Sequence, residues 1–111
     1  MKAIGTQTYK TELGSSTTAV SINVGDSADA VMITSIDVQS NITSAPTIVD
    51  IRDADNAIIA SMVCPNNGTV NKFTGQIMSY APPFTAKHRT TTASQITILN
   101  ITVENFGTTS E

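Results

Sequence analysis

Several features that would indicate a nucleic-acid-binding or membrane protein are scarce in this 111-residue sequence. Charged residues make up 14% of the chain, against ~25% in an average soluble domain. The net charge of −3 excludes the overall basic balance of a typical nucleic-acid-binding domain. No stretch approaches the ~20 apolar residues of a membrane helix, and the N-terminus lacks the apolar run of a signal peptide. We therefore expect a protein that is made in the cytoplasm and binds neither nucleic acid nor membrane.

Residues that carry metal, redox or covalent chemistry are equally few. A single cysteine, Cys64, excludes an internal disulfide, and a single histidine, His88, leaves no cluster of ligands for zinc. No G-x-S-x-G nucleophile motif and no glycine-rich phosphate motif occur. The sequence therefore predicts a protein that is not an enzyme and has no cofactor and no metal site.

What the chain has instead is hydroxyl side chains, 18 Thr and 11 Ser, and short apolar runs rich in β-branched residues. The clearest pair of runs spans residues 47–63 around the turn residues 53–56, which is typical of a β-hairpin. Similar runs recur about every ten residues, and no window has helical periodicity. We predict a single all-β domain over residues 1–111, with arms at residues 1–10 and 104–111. The architecture is an antiparallel β-sandwich of seven or eight strands, immunoglobulin-like or jelly-roll.

Three places interrupt the regular alternation of apolar residues. The apolar parity changes near Thr34 and Ser35, and again near Ile98 and Leu99, which predicts a bulge or a change of sheet at each. Gly75 predicts a bulge or kink in the strand 70–80. Residues 81–84 predict a rigid turn in which Pro82 or Pro83 follows a cis bond, and residues 87–92 predict an exposed loop.

The hairpin turn also carries the one acidic cluster of the chain. Asp50, Asp53, Asp55 and Asn56 offer the oxygen ligands that Ca²⁺ prefers. The glycine and the closing glutamate of a calcium-binding loop are missing. We therefore interpret the cluster as a solvated turn and leave cation binding there open.

The chain length, the threonine content, the β pattern and the final residues NFGTTSE resemble small accessory proteins of bacteriophage virions, of the capsid decoration or cement type. The resemblance implies a structural protein located in the virion, which binds the major capsid protein or another virion protein as a homotrimer. Such a protein stabilises the shell by binding only its assembled form. On this hypothesis, the arm and the segment 82–92 supply the partner contacts, namely Lys2, Ile4, Tyr9, Pro82, Pro83, Phe84, Lys87, His88 and Arg89.

The alternative is a carbohydrate-binding or adhesin-like sandwich. In that case Tyr9, Tyr80 and the turn at residues 50–56 would contact the sugar, because aromatic faces stack on sugar rings and polar turn residues bind hydroxyls.

Overall fold

The computed structural model describes residues 2–15, 18–25, 28–41, 45–65, 68–92 and 94–107. These residues form eight strands. In chain order the strands are β1 (Lys2–Leu13), β2 (Val20–Ile22), β3 (Ala30–Ser40), β4 (Thr47–Arg52), β5 (Ile58–Cys64), β6 (Asn71–Ser79), β7 (Phe84–Thr90) and β8 (Thr97–Gly107). None of the described residues belongs to a helix that could span a membrane. The prediction of an all-β fold with seven or eight strands is confirmed.

The strands form two antiparallel sheets of four strands each. The first sheet has the order β1-β8-β3-β6 and the second has the order β2-β7-β4-β5. The first strand therefore pairs with the last, β2 with β7, β3 with β6, and β4 with β5. This nested pairing, wrapped into two facing sheets, is the strand order of a jelly roll. It decides between the two sandwich types that the sequence left open.

The core lies between the facing sheets and follows from the period of two along each strand. On β8, the side chains of Leu99, Ile101 and Val103 are fully buried, whereas the residues between them are partly exposed. Burying a side chain of this size stabilises the fold by roughly 1.5–3 kcal/mol relative to leaving it in water. The alternation of β-branched and polar residues therefore assigns each strand an inner and an outer face.

Register shifts at one place in the first sheet explain two of the predicted irregularities. Ile33 on β3 lies opposite Ile77 on β6, and Ser35 lies opposite Thr74. A single residue of β3 therefore stands opposite two residues of β6, one of which is Gly75, as in a β-bulge. β3 also has one residue more than β8 at this place, since Ile33 lies opposite Val103 and Ser35 lies opposite Thr102. The irregularities predicted near Ser35 and at Gly75 are therefore two neighbouring register shifts, one on each side of β3.

The change of parity predicted at Ile98 and Leu99 is wrong. β8 keeps one inner face from Thr97 to Val103, and Ile98 lies partly exposed on the outer face. The prediction failed because it assigned every apolar side chain to the interior. An isolated apolar side chain on an outer sheet face is common in folded proteins.

The exposed loop predicted at residues 87–92 is also wrong, because residues 87–90 belong to β7. The turn before this strand contains a cis peptide bond between Pro82 and Pro83, as the sequence predicted. Phe84 and His88 then point into the core, whereas Lys87 and Arg89 point to the outer face.

Residues 2–10 and 104–107, predicted as parts of two arms, lie in paired strands. Lys2–Leu13 pairs with β8 along its length, with a register shift between Ala3 and Gly5, and residues 104–107 are the end of β8. Residues 1 and 108–111 lie outside the described residues.

Candidate interaction surfaces

Seven of the nine predicted partner contacts lie at least partly at the surface. Ile4 is exposed on β1, and Tyr9 is half-buried there, with its hydroxyl donating to the carbonyl oxygen of Ser21 at 3.3 Å. Lys2, Pro82, Pro83, Lys87 and Arg89 are also exposed or half-buried. Phe84 and His88 are each only 1% exposed, so neither can touch a partner of the folded domain. The structure therefore removes these two residues from the predicted contact set.

A buried polar network at one end of the core is centred on Gln95. Its side-chain nitrogen lies 2.7 Å from Thr47 Oγ1, and 3.1 Å from both Ser40 Oγ and Thr97 Oγ1. Because an amide nitrogen has two hydrogens, it shares two donors among three acceptors. Its carbonyl oxygen accepts from the Thr91 hydroxyl at 3.1 Å. This network satisfies polar groups that would otherwise be costly to bury.

The only histidine and the only cysteine of the chain border this network. His88 Nε2 lies 2.8 Å from Thr97 Oγ1, and the Cys64 thiol hydrogen-bonds with Thr47 and Thr97. Burial raises the pKa of the Cys64 thiol, against the smaller opposing effect of these hydrogen bonds. A raised pKa and 1% exposure leave the thiol unreactive in the folded domain. The cluster therefore has residue types that occur in reactive sites, but its cysteine and histidine are not accessible from solvent.

The acidic residues of the hairpin turn do not converge on one point. Asp53 Oδ1 accepts from the backbone nitrogens of Asp55 at 2.9 Å and Ala57 at 3.0 Å. Asn56 has a φ of 68°, which Asn tolerates in a turn. No group of three or more His, Cys, Asp or Glu side chains that could hold a metal ion occurs in the part of the chain that the structure describes.

Asp50 instead forms a charged cluster on the outer face of the second sheet. Arg89 Nε donates to Oδ2 at 2.9 Å and Nη2 donates to Oδ1 at 2.7 Å, while the Ser61 hydroxyl donates to Oδ1 at 2.6 Å. The Arg89 hydrogen bonds hold the pKa of the Asp50 carboxyl below its usual range, although burial opposes them. The sequence analysis missed this cluster because it placed Arg89 in a loop. The pairing of β4 with β7, which local sequence does not specify, puts Arg89 and Asp50 on one face.

Each sheet ends in two strands that have a pairing partner on only one side. In the first sheet these edge strands are β1 and β6, and in the second they are β2 and β5. β1 is the longest strand, with 12 residues, and pairs only with β8 among the described strands. Such an edge presents a row of backbone N–H and C=O groups to another chain.

Exposed apolar side chains concentrate near one pair of these edges. The large exposed apolar residues on or beside β5 and β6 are Ile58, Val63, Val70, Met78 and Tyr80. Tyr80 is 71% exposed, the highest value among them. This side of the sandwich therefore combines unpaired backbone with apolar surface, as many protein interfaces do.

An open groove of about 390 Å³ lies at one end of the first sheet. Its floor includes Ile96 and Ile98, and Gln39 and Asn41 line its side. Both amides are already engaged: Gln39 Nε2 donates to the Gly68 carbonyl oxygen at 2.8 Å, and Asn41 Oδ1 accepts from the Ile96 nitrogen at 2.8 Å. The groove therefore has few polar groups left to orient a small ligand.

The chain has a structural counterpart but no sequence match. No protein-family model matches it, and neither does any curated protein. Its fold is similar to that of a Bacillus protein whose solved structure is described by the words "Bacillus endospore appendages form a novel family of disulfide-linked pili". The TM-score is 0.59 with 11% sequence identity, over 96% of this chain and 93% of that chain. This likeness shows a shared fold.

Proposed function

We propose that this chain is a non-enzymatic structural subunit that assembles with neighbouring subunits through the edges of its sheets. The observation that carries the proposal is β1, a 12-residue edge strand that pairs with a single strand, β8, among the described strands. Backbone pairing of this kind gives affinity without requiring particular side chains. The likeness in fold to a pilus protein supports a structural role.

The strand directions allow such an assembly to continue from copy to copy. Neighbouring strands of the first sheet are antiparallel throughout, so β1 and β6 at its two edges run in opposite directions. A translated copy that places its β1 beside β6 therefore extends the sheet in the same antiparallel pattern. A contact between two different surfaces that does not close into a ring produces an open array.

Assembly through Cys64 does not fit this domain. The similar Bacillus structure is described as disulfide-linked, but the one cysteine of this sequence is buried and its thiol pKa is raised. A disulfide between subunits at Cys64 would require the core to open. The assembly that we propose is therefore held by non-covalent contacts and resists reducing agents.

Within this structural role, we retain the virion as the proposed location. The jelly roll is a common architecture of viral capsid proteins, and this is the observation that favours the setting. In this setting the assembly would be a closed homotrimer instead of an open array, and it would bind the major capsid protein and bridge its subunits. Sedimentation of the purified protein with undecorated shells tests this setting, and the idea fails if the protein stays in the supernatant.

The carbohydrate alternative keeps one supporting observation. The backbone nitrogen of Ala54 donates to the carbonyl oxygen of Ala81 at 2.8 Å, which brings the hairpin turn beside the exposed Tyr80. Lectins also adopt jelly rolls. Binding on a glycan array that is lost in Tyr80→Ala would favour this alternative over the structural role.

Edge assembly is tested by a matched pair of substitutions on one row of the first sheet. Thr8 on the edge strand β1 lies directly opposite Thr102 on the inner strand β8. Thr8→Lys places a charge on the edge, where Lys opposes strand pairing, and Thr102→Lys places the same charge one strand inward. We expect wild type and Thr102→Lys to form large species in analytical ultracentrifugation and Thr8→Lys to remain small. A wild-type protein that is monomeric at every concentration would overturn the proposal.

A further inference from the structure

We propose that the outer face of the second sheet is a docking surface for a protein partner that presents carboxylates beside aliphatic side chains. This cationic face consists of Arg52, Lys87 and Arg89 together with Ile58 and Val63. It lies on the face of the second sheet and not on the β1 and β6 edges of the first sheet, so the inference stands whether or not those two edges assemble.

The strand register brings these residues onto three neighbouring rows. Lys87 lies opposite Asp50, which lies opposite Ser61 on β5. On one side of this row, Arg52 lies opposite Ile58. On the other side, Ile48 lies opposite Val63, and Arg89 reaches across to Asp50. Cationic side chains on β4 and β7 therefore share one sheet face with aliphatic side chains on β5.

The charge of this face is opposite to that of the chain as a whole. The chain has a net charge of −3, yet the cationic face holds three of its six Lys and Arg residues. Asp50 is the only acidic residue within the four strands of the second sheet. Its side chain is 1% exposed, whereas that of Arg89 above it is 49% exposed. The accessible charge of these strands is therefore positive.

The first sheet provides an internal comparison. Its strands contain Glu12, Asp37 and Glu104 against Lys2, Lys10 and Lys72, so its charges balance. One row across its outer face consists of hydroxyl residues, namely Thr8, Thr102, Ser35 and Thr74. This composition is typical of a hydrated surface. The contrast indicates that the second sheet has the face suited to a charged partner.

The Asp50 contacts prepare Arg89 for binding. Two hydrogen bonds to the carboxylate and a third, from Nη2 to the Ser61 hydroxyl at 3.1 Å, hold the guanidinium in one position. A side chain that is already ordered loses less entropy when a partner binds. Nη1 has no hydrogen bond among those described for Arg89, so it can donate to a carboxylate of a partner.

The aliphatic neighbours select a protein over a phosphate polymer. Ile58 and Val63 are 47% and 48% exposed, respectively. Burial of these two side chains strengthens binding only if the partner has apolar side chains of its own, which polyphosphate lacks. Removing water around Lys87 and Arg89 at the same time strengthens their attraction to carboxylates. The combination therefore fits an acidic protein surface with aliphatic residues.

The test uses three soluble polymers as probes, namely poly-L-glutamate, a random copolymer of glutamate and leucine, and polyphosphate. Binding is measured at about 0.15 M salt, where charges separated by more than about 8 Å are largely screened. We expect the copolymer to bind most tightly. Lys87→Glu should weaken its binding about tenfold or more, because it removes a cation and adds a like charge. Val63→Ser should weaken copolymer binding about threefold and leave poly-L-glutamate binding unchanged, because only the copolymer has leucine to bury.

The matched control is Lys72→Glu on the first sheet, which makes the same charge change on an exposed strand residue outside the cationic face. Its copolymer affinity should stay within about twofold of wild type, since a distant rim charge contributes little. Thermal unfolding of each variant confirms that it is folded. Equal losses in Lys72→Glu and Lys87→Glu, tighter binding to polyphosphate, or no binding of wild type to the copolymer would each overturn the inference.

Discussion

Replacing Arg89 by Met is the sharpest single test of the structure at the Asp50 cluster. The change keeps most of the aliphatic stem but removes both hydrogen bonds to the Asp50 carboxylate, whose side chain is 1% exposed. Removing one partner of a fully buried ion pair costs about 3–5 kcal/mol, because the other charge stays buried and unpaired. Arg89 is 49% exposed and Ser61 still donates to Asp50, so we expect a loss below this range but above that of an ordinary surface ion pair.

A double-mutant cycle separates the pair from other effects of the substitution. Asp50→Asn keeps the shape of the side chain and can still accept from Ser61, but it removes the buried charge. In the double variant Asp50→Asn with Arg89→Met no unpaired charge remains, so its loss in free energy of unfolding should be smaller than the sum of the two single losses by about 1–2 kcal/mol.

The pH dependence of the stability difference between wild type and Arg89→Met tests the direction of the Asp50 pKa shift independently. Arg89 holds the folded-state pKa of Asp50 below the unfolded value of about 3.9, so the pair stabilises wild type above that pH and the contribution is lost as the pH falls through the folded pKa. Without Arg89, burial is the main influence left and raises this pKa. The carboxylate then destabilises the variant at neutral pH, and protonation relieves the penalty. The stability difference between the two proteins should therefore shrink between about pH 7 and about pH 3.

Urea unfolding followed by far-UV circular dichroism measures these free energies. A loss below about 0.5 kcal/mol in Arg89→Met would mean that the pair is an ordinary surface contact. A difference that stays constant or grows on acidification would refute the assigned pKa direction.

Three further outcomes follow from burial and backbone geometry. Gly25→Ala should lower the free energy of unfolding by about 1–3 kcal/mol, because Gly25 has a φ of +74° and a Cβ there would lie 2.5 Å from a core methyl group. Gly14→Ala should change it by less than about 0.5 kcal/mol, because nothing lies within 4 Å of a Cβ at that position. Chemical denaturation measures both changes. By the same measurement, Phe84→Ala should lower the free energy of unfolding by about 3–5 kcal/mol, because the Phe84 side chain is buried. Tyr80→Ala should lower it by less than about 0.5 kcal/mol, because the Tyr80 side chain is exposed. The Cys64 thiol should react with a chromogenic disulfide reagent in urea and not in native buffer, because Cys64 is 1% exposed in the folded protein and the pKa of its thiol is raised. Rapid reaction of the folded protein would contradict the placement of Cys64 in the core.

The regular strands could be predicted because the residues that specify them lie close together in the sequence. The hairpin predicted at residues 47–63 is found as β4 and β5, and the disturbed alternation near Ser35 is found as a bulge. Both depend on β-branched residues and turn residues within a few positions of one another. Such patterns act before any distant contact forms.

Only the tertiary structure decided which polar residues are buried. Arg89 meets a partner 39 positions away in Asp50, and Gln95 meets one 48 positions away in Thr47. A polar side chain such as Gln95 or His88 enters a core only where other strands supply its hydrogen bonds. Composition and alternation therefore determined the all-β class, while the strand order determined which polar side chains are internal and which cations remain at the surface.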